Sequence, residues 1–424
     1  GRMFSKILIA NRGEIACRVM RTARRMGVAT VAVYSDADAH SMHVAKADEA
    51  VRIGAAPVGE SYLRGDRIIQ AALDTGAQAI HPGYGFLSEN AAFAEACAKA
   101  GIIFVGPPPG AIRAMGLKDA AKALMAKSGV PVVPGYHGAD QDAGFLAAEA
   151  DKIGYPVLIK AVAGGGGKGM KRVDDAASLP AQLDLAMAEA EAAFGDARVY
   201  LERFVTVGRH VEVQILSDGA TFLHAGERDC SVQRRYQKLV EEAPAPHLPE
   251  ALRQGLLEAA VRYARHIGYR SLGTVEFLVN VPRGEFYFLE MNARVQVEHP
   301  VTEAITGLDL IALQIAVAEG QTLPLTQDQI RLTGHAIECR LNAEDPTRDF
   351  LPSPGRVTQA WFPPVPGLRV DTHMQPGAMI PPYYDSLVAK LITWGATREE
   401  AVARMLTALD VCVLEGVITN APLH

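Results

Sequence analysis

Apolar and polar positions along the chain follow two rhythms. Residues 4–10 form an apolar run of buried-strand length, and residues 14–26 carry Ile15, Val19 and Ala23 at helical spacing before Gly27. Residues 28–34 read as the next strand. Strand and helix patterns then alternate through 49–53, 68–73, 77–80, 91–100 and 102–105, an order that predicts a parallel sheet covered by helices. A helix headed by Met115-Gly116-Leu117-Lys118 runs through Met125, a connector follows at 128–134, and 153–162 is a strand. Further on, the pattern gives an Ala-rich helix at 181–193, strands at 198–205 and 210–216, and helices at 249–267 and 308–319. Residues 321–329 look like a boundary. Beyond it come sheet-like stretches at 334–342, 357–362 and 383–393, then a capped helix at 397–409.

The strongest alternation lies at 286–299. Glu290, Asn292, Arg294, Gln296 and Glu298 share one parity, and Met291, Ala293, Val295 and Val297 the other. The run before it, 273–280, is also strand-like, and Pro282-Arg283-Gly284 is turn chemistry, so a hairpin is expected. Pairing symmetric about Arg283 sets Phe286 opposite Asn280, Phe288 opposite Leu278 and Glu290 opposite Glu276. Opposed side chains stand about 5 Å apart, where like charges destabilise the pair. A divalent cation would compensate, and Mg²⁺ takes one or two carboxylates together with waters and phosphate oxygens. The plainer alternative is a solvated edge strand, although Asn, Gln and Glu are poor strand formers. Pro300 and a helix start at Thr302-Glu303 would bend the run before Glu298.

Other stretches narrow the chemistry. Lys160 is the one cation in an otherwise apolar strand and needs an anionic partner. The glycines 164–167 and Gly169 flank Lys168 without forming a phosphate loop of the G-x-x-x-x-G-K-[ST] kind: the first glycine is missing, Gly169 replaces Ser or Thr, and a strand at 170–173 follows. A glycine hairpin covering a polyphosphate fits, with a flexible linker as the alternative. The first turn offers Asn11-Arg12-Gly13-Glu14 in place of G-x-G-x-x-G, so Asp36 and Asp38 are weak support for a dinucleotide site. His81-Pro-Gly-Tyr84-Gly-Phe-Leu-Ser-Glu-Asn90 stands at a strand end, where such sheets place ligands; a plain turn before a capped helix is equally consistent. The 227–242 charge run reads as a solvated surface or as an anion site beside a metal.

With 424 residues, 49% hydrophobic and 21% charged, the chain has the composition of a soluble protein of two or three domains. A net charge of −6 argues against wrapping nucleic acid. Five scattered cysteines with no C-x-x-C pair indicate neither a disulfide framework nor zinc, and suit a reducing cytoplasm. No apolar run is long enough to cross a membrane. Gly1-Arg2 ahead of Met3 reads as a tag remnant, and the last domain is expected to be truncated.

The motifs HPGYGFLSEN, IGYPVLIKAVAGGGGKGM, ERDCSVQRRYQKLVEEAPAP, EMNARVQVEHPVTE and GHAIECRLNAEDP closely resemble the biotin carboxylase component of biotin-dependent carboxylases, over nearly the whole chain. The resemblance implies an α/β (α+β) ATP-grasp fold. Its parts would be a Rossmann-like parallel-sheet domain at 1–114, an ATP-grasp domain at 115–330 with a glycine-loop lid at about 132–204, and a mixed α+β domain at 331–424. It also implies ATP-dependent carboxylation of biotin N1′ from bicarbonate through carboxyphosphate, with ATP, Mg²⁺ or Mn²⁺ and biotin as cofactors. By resemblance, Lys118 and Lys160 contact ATP phosphates, Gly165 and Gly166 belong to the lid, and Glu202 with the Phe204 region receives adenine. His210 and Gln233 line the nucleotide pocket beside Tyr236, which stands where many members have His. Glu276 and Glu290 hold the metal with Asn292 nearby. Lys238, Arg294, Gln296 and the Val297 backbone cradle bicarbonate; Glu298 is the general base, and Arg340 stabilises the biotin enolate with Tyr84 close by.

The implied partners are a second copy of this component, a biotin carboxyl carrier domain and a carboxyltransferase subunit. The chain has no lysine between two methionines, so the carrier lies elsewhere. The resemblance leans towards the α subunit of a methylcrotonyl-, geranyl- or propionyl-CoA carboxylase. Rival readings are another ATP-grasp ligase, such as a carboxyaminoimidazole synthase or a carbamoyl-phosphate synthase half, and a nucleotide-binding module without turnover. The first would lack the VQVEHPVTE run and the Arg340 strand; intact Lys238, Glu298 and Arg340 oppose the second.

Overall fold

The computed structural model describes residues 3–163, 170–205, 208–234, 237–345, 351–352, 354–415 and 419. At the N-terminus, five parallel strands stand in the order Glu49–Gly54, Ala29–Ser35, Lys6–Ile9, Ala79–His81, Ile103–Phe104. The central strand Lys6–Ile9 is apolar at Ile7, Leu8 and Ile9, all fully buried, because helices cover both faces of a parallel sheet. The helix Gly13–Arg25 follows it directly, and its Ile15, Val19 and Ala23 stripe faces that core.

A smaller four-stranded sheet orders Gly135–Tyr136, Val199–Arg203, Val157–Ala161 and Lys171–Val173, covered by the helices Ala143–Ile153 and Leu179–Phe194. The first of these helices has no counterpart in the sequence pattern; Asp142 caps it, accepting from the Phe145 amide at 3.1 Å. The helix expected from Met115 is broken at Leu117, giving Pro109–Gly116 and Lys118–Lys127.

The third sheet organises the rest. Its eight strands run Glu285–Asn292, Arg270–Asn280, Arg209–Asp218, Phe222–Arg234, Gln237–Ala243, His335–Asn342, Leu387–Gly395, Leu368–Thr372. Hydrogen bonding therefore passes without interruption from the middle of the chain into its last part, through the Val240–Cys339 and Ala243–Ala336 register. Phe277, Phe286 and Phe288 pack together on the apolar face, and Phe288 meets Tyr263 of the helix Glu250–His266 at 5.2 Å between ring centroids. Burying an aromatic of this size contributes about 1.5–3 kcal/mol, which anchors the hairpin to the helix. Among the described residues, no single helix is long and apolar enough to cross a membrane.

The hairpin forms, with a register that differs from symmetric pairing. Asn280 pairs with Glu285, Val279 with Phe286, Leu278 with Tyr287 and Phe277 with Phe288, one residue out of the expected alignment. A β-bulge then leaves Leu289 without a partner, and Glu276 meets Glu290 as expected. Without the bulge, Glu290 would lie opposite Val275 and point into the core. Where its side chains are described, the charge run at 227–242 is not a solvated surface. It forms two strands of the sheet, with Glu227, Arg228, Asp229 and Glu241 all buried.

Candidate active site

The strand Glu285–Asn292 ends well before Glu298, so the alternating polar residues do not share one extended face. The chain turns after Ala293, and Glu298 stands at the N-cap position of the helix His299–Thr306 without a side-chain capping hydrogen bond. A carboxylate there faces the positive end of the helix dipole. Glu298 is fully buried, and its Oε2 accepts from Arg340 Nη2 at 2.9 Å. Arg340 also reaches Glu241 Oε1 at 2.6 Å. Burial works against the guanidinium charge, but Glu241, Glu298 and Glu338 outweigh it and raise the pKa. The structure thus joins the residues expected as base and enolate partner, 42 positions apart, in one ion pair.

The intervening turn carries the remaining polar groups. Arg294 Nε donates to Glu89 Oε1 at 2.8 Å, and its Nη1 donates to Gln296 Oε1 at 3.1 Å. Gln296 is 3% exposed, and its amide nitrogen has no hydrogen-bond partner. An orphaned buried donor of this kind marks a place for an acceptor such as an oxyanion. The Val297 carbonyl accepts from Lys390 Nζ at 2.8 Å.

Tyr84 is brought in from the N-terminal sheet. Its hydroxyl donates to Glu14 Oε2 at 2.8 Å, and burial together with the Glu14 charge raises the phenol pKa well above its usual value. The Asn11 amide fixes the Tyr84 loop through the Pro82 and Tyr84 carbonyls at 2.9 and 2.7 Å. Gly83, at φ +64°, leaves room for that amide, since a Cβ there would lie 2.8 Å from Asn11 Nδ2. The Asn11–Glu14 turn is therefore a brace for the site. Asp38 is taken by Arg12 at 2.6 Å and by the Tyr62 hydroxyl, and Asp36 by Arg52, which removes both acids from any dinucleotide role.

Carboxylates line up across the large sheet. Glu290 pairs with Glu276, Glu276 with Glu212, and Glu212 with Arg228, on four adjacent strands. Arg228 is fully buried and donates to Glu212 at 2.8 Å, to Gln214 at 2.7 Å and to Thr302 at 3.0 Å. Its charge offsets Glu212. Glu276 and Glu290 are half-buried, with Asn292 two residues along from Glu290. Hard oxygen donors in this number and spacing fit Mg²⁺ better than a softer metal.

Lys160 finds its anionic partner inside the protein: Nζ lies 2.8 Å from Glu202 Oε2. Glu202 also meets Lys122 at 3.6 Å and His137 at 3.5 Å. Burial would raise its pKa, but Lys160, the hydrogen bond from His137 and Lys122 bring it well below the ordinary carboxylate value. Arg172 stacks over Phe204 at 4.3 Å, and His210 stands opposite Leu278. Lys118 opens its helix, and Gln233 and Lys238 pair across neighbouring strands, but the side chains of all three lie outside the described residues. So do Gly165, Gly166 and Tyr236.

With this geometry in place, comparison with known proteins identifies the relatives. Residues 3–112 match the family described as biotin carboxylase, N-terminal domain, and 338–424 the biotin carboxylase C-terminal domain. Residues 118–326 match the ATP binding domain of the carbamoyl-phosphate synthase L chain. A biotin carboxylase from Nostoc sp. is 54% identical over 422 residues, covering 99% of this chain and 94% of that protein. This chain belongs to the biotin carboxylase family. The alpha subunit of mitochondrial methylcrotonoyl-CoA carboxylase from Dictyostelium discoideum is also 54% identical, over 98% of this chain but only 60% of its own length. Among solved structures, the biotin carboxylase domain dimer of Hydrogenobacter thermophilus 2-oxoglutarate carboxylase superposes with a TM-score of 0.96 at 46% identity, covering 100% of this chain and 93% of that one. A Campylobacter jejuni biotin carboxylase gives 0.94 at 47% identity, covering 99% and 94%. The fold is the ATP-grasp fold of these biotin carboxylases.

Several groups in this biotin carboxylase site have no role predicted from sequence. Glu89 holds Arg294, Glu14 holds Tyr84, Glu338 faces Glu241, and Lys390 holds Val297. Glu89 and Glu14 stand in motifs that draw attention for other reasons. Lys390 gives no signal beyond a lone cation in an apolar strand, the same signal that singles out Lys160.

Proposed function

We propose that the chain carboxylates N1′ of biotin, presented on a carrier domain, using ATP and bicarbonate. The observation that carries this reading is the buried Glu298–Arg340 pair beside the unsatisfied Gln296 amide. Glu298 takes the proton of bicarbonate, a step in which a positioned carboxylate supplies about 10²- to 10⁴-fold. Arg294 and Gln296 hold the resulting oxyanion in line with the γ-phosphate of ATP, with Lys238 on the same side. Lys118 and Lys160 neutralise the phosphates, Glu202 and the Phe204 region face the adenine, and His210, Gln233 and Tyr236 line the same pocket.

Glu276, Glu290 and Asn292 would hold Mg²⁺, which when bound offsets charge on the phosphate oxygens. Phosphoryl transfer depends mainly on such positioning and charge neutralisation. Carboxyphosphate then releases CO₂ next to biotin, phosphate accepts the N1′ proton, and Arg340 stabilises the enolate with Tyr84 beside it. Closure of Gly165 and Gly166 over the nucleotide would limit loss of the intermediate to water.

The chain spans 57–60% of the methylcrotonoyl-CoA carboxylase alpha subunits that it matches, so the complete assembly is proposed by analogy. It would be an acyl-CoA carboxylase in which a carboxyltransferase selects the acyl group, with this component as a homodimer in the cytoplasm. Similarity to a pyruvate carboxylase component from Methanothermobacter thermautotrophicus and to the urea carboxylase of Kluyveromyces lactis supports leaving the choice of acceptor to the rest of the assembly. The test follows ADP release with and without bicarbonate and free biotin. Release should require bicarbonate and rise with biotin; release that ignores both overturns the proposal.

A further inference from the structure

Lys390 lies in the middle of the strand Leu387–Gly395, fully buried, directly across from Arg340 on one side and Asp371 on the other. A buried ammonium is costly unless its hydrogen bonds are met. Here Nζ reaches the Val297 carbonyl at 2.8 Å and Glu14 Oε1 at 2.9 Å, with Asp371 Oδ2 at 4.0 Å. The second oxygen of Glu14 receives the Tyr84 hydroxyl at 2.8 Å. One ammonium therefore ties together the first helix, the strand next to Arg340 and the turn that carries Gln296 and Glu298.

The neighbouring peptide is held in a similar way. The Gln296 carbonyl accepts from the His299 backbone amide at 3.2 Å, and His299 Nδ1 lies 2.7 Å from it. In a trans peptide the carbonyl and the following N–H point in opposite directions. Fixing the Gln296 carbonyl fixes the Val297 N–H, and fixing the Val297 carbonyl fixes the Glu298 N–H. Both amides belong to the turn that carries the unsatisfied Gln296 side chain.

We infer that Lys390 is a positioning residue for the bicarbonate end of the site: through the Val297 carbonyl it sets the peptide leading to Glu298, and through Glu14 it couples that peptide to Tyr84. This inference rests on the proposed biotin carboxylase reaction. Lys390 touches no reacting atom and takes no proton. Its removal should weaken use of bicarbonate while leaving as it is the ATP side, where Lys160 and Glu202 stand on the smaller four-stranded sheet.

The test compares wild type, Lys390→Met and the double variant Lys390→Met with Glu14→Gln, in which Glu14 is not left as an unpaired buried carboxylate and Asp371 keeps its pairing with Arg369. ADP release is measured against bicarbonate and, separately, against ATP. In a folded variant, KM for bicarbonate should rise or kcat fall by about 10- to 100-fold, the scale of a misplaced reactive group, with KM for ATP within about twofold of wild type. Unchanged bicarbonate kinetics in either folded variant would overturn the inference. An equal loss on the ATP side, or failure of both variants to fold, would make Lys390 a stability residue and overturn it as well. If wild type itself shows no bicarbonate dependence, the proposed reaction fails, and the two failures are distinguishable.

Discussion

Glu338 allows the electrostatics of the site to be tested through stability. It stands opposite Glu241 across paired strands, both carboxylates are fully buried, and neither Glu338 oxygen has a hydrogen-bond partner. Glu241 is held by Arg340, and the other charges facing Glu338 are Lys390 on the next strand and Glu298 at the helix cap. Burial, followed by the Glu241 charge, pushes the Glu338 carboxyl well above the usual carboxylate range, with Lys390 and Arg340 opposing. The folded protein therefore keeps a proton that the unfolded chain releases above its own pKa of about 4.3. Stability then falls as pH rises between the unfolded and folded pKa values, by about 1.4 kcal/mol per pH unit for one proton.

Glu338→Gln keeps the shape and removes the titration, so the variant should gain on wild type as pH rises. Urea unfolding of both proteins at pH 5.5 and 6.5 measures the gap, which should widen in favour of the variant by up to about 1.4 kcal/mol, the limit for one proton over one pH unit. A gap that stays constant or narrows would refute the argument and mean that Glu338 is ionised in the folded protein.

Two further perturbations probe the carboxylate row. Arg228→Met removes the buried cation from Glu212, and denaturation should show a loss of about 3–5 kcal/mol, the usual cost of breaking a buried pair from one side. Glu290→Gln should raise the Mg²⁺ concentration giving half-maximal ADP release by about tenfold or more, with little change in the thermal midpoint.

How far the sequence could be read depends on the range of the interactions involved. The first sheet is legible because its apolar runs and helix stripes are local patterns, and Gly27 closes the first helix where expected. The facing of Glu276 and Glu290 follows from turn chemistry and parity. The bulge at Leu289 that produces it does not, because symmetric pairing reaches the same partners by another route. The charge run at 227–242 misleads for a clear reason: composition suggests solvent, whereas Glu227, Arg228 and Asp229 are satisfied by residues of other elements. Arg228 bonding to Thr302 across 74 positions is one case. The sharp turn after Ala293 is equally nonlocal, since it depends on Glu89 accepting from the Ala293 amide at 3.2 Å and from Arg294. Lys390 illustrates the limit most plainly. Its partners Glu14 and Val297 lie in other parts of the chain, and no local pattern connects them.

The central claim is that Glu298, held under Arg340, is the base that commits bicarbonate to biotin. Its most direct test is transfer of label from ¹⁴C-bicarbonate to free biotin in the presence of ATP and Mg²⁺, comparing wild type with Glu298→Gln at matched nucleotide occupancy. Wild type should form acid-labile labelled carboxybiotin, and the variant should form at least about 100-fold less while binding ATP within a few-fold of wild type. No transfer by wild type, or equal transfer by the variant, would contradict the account.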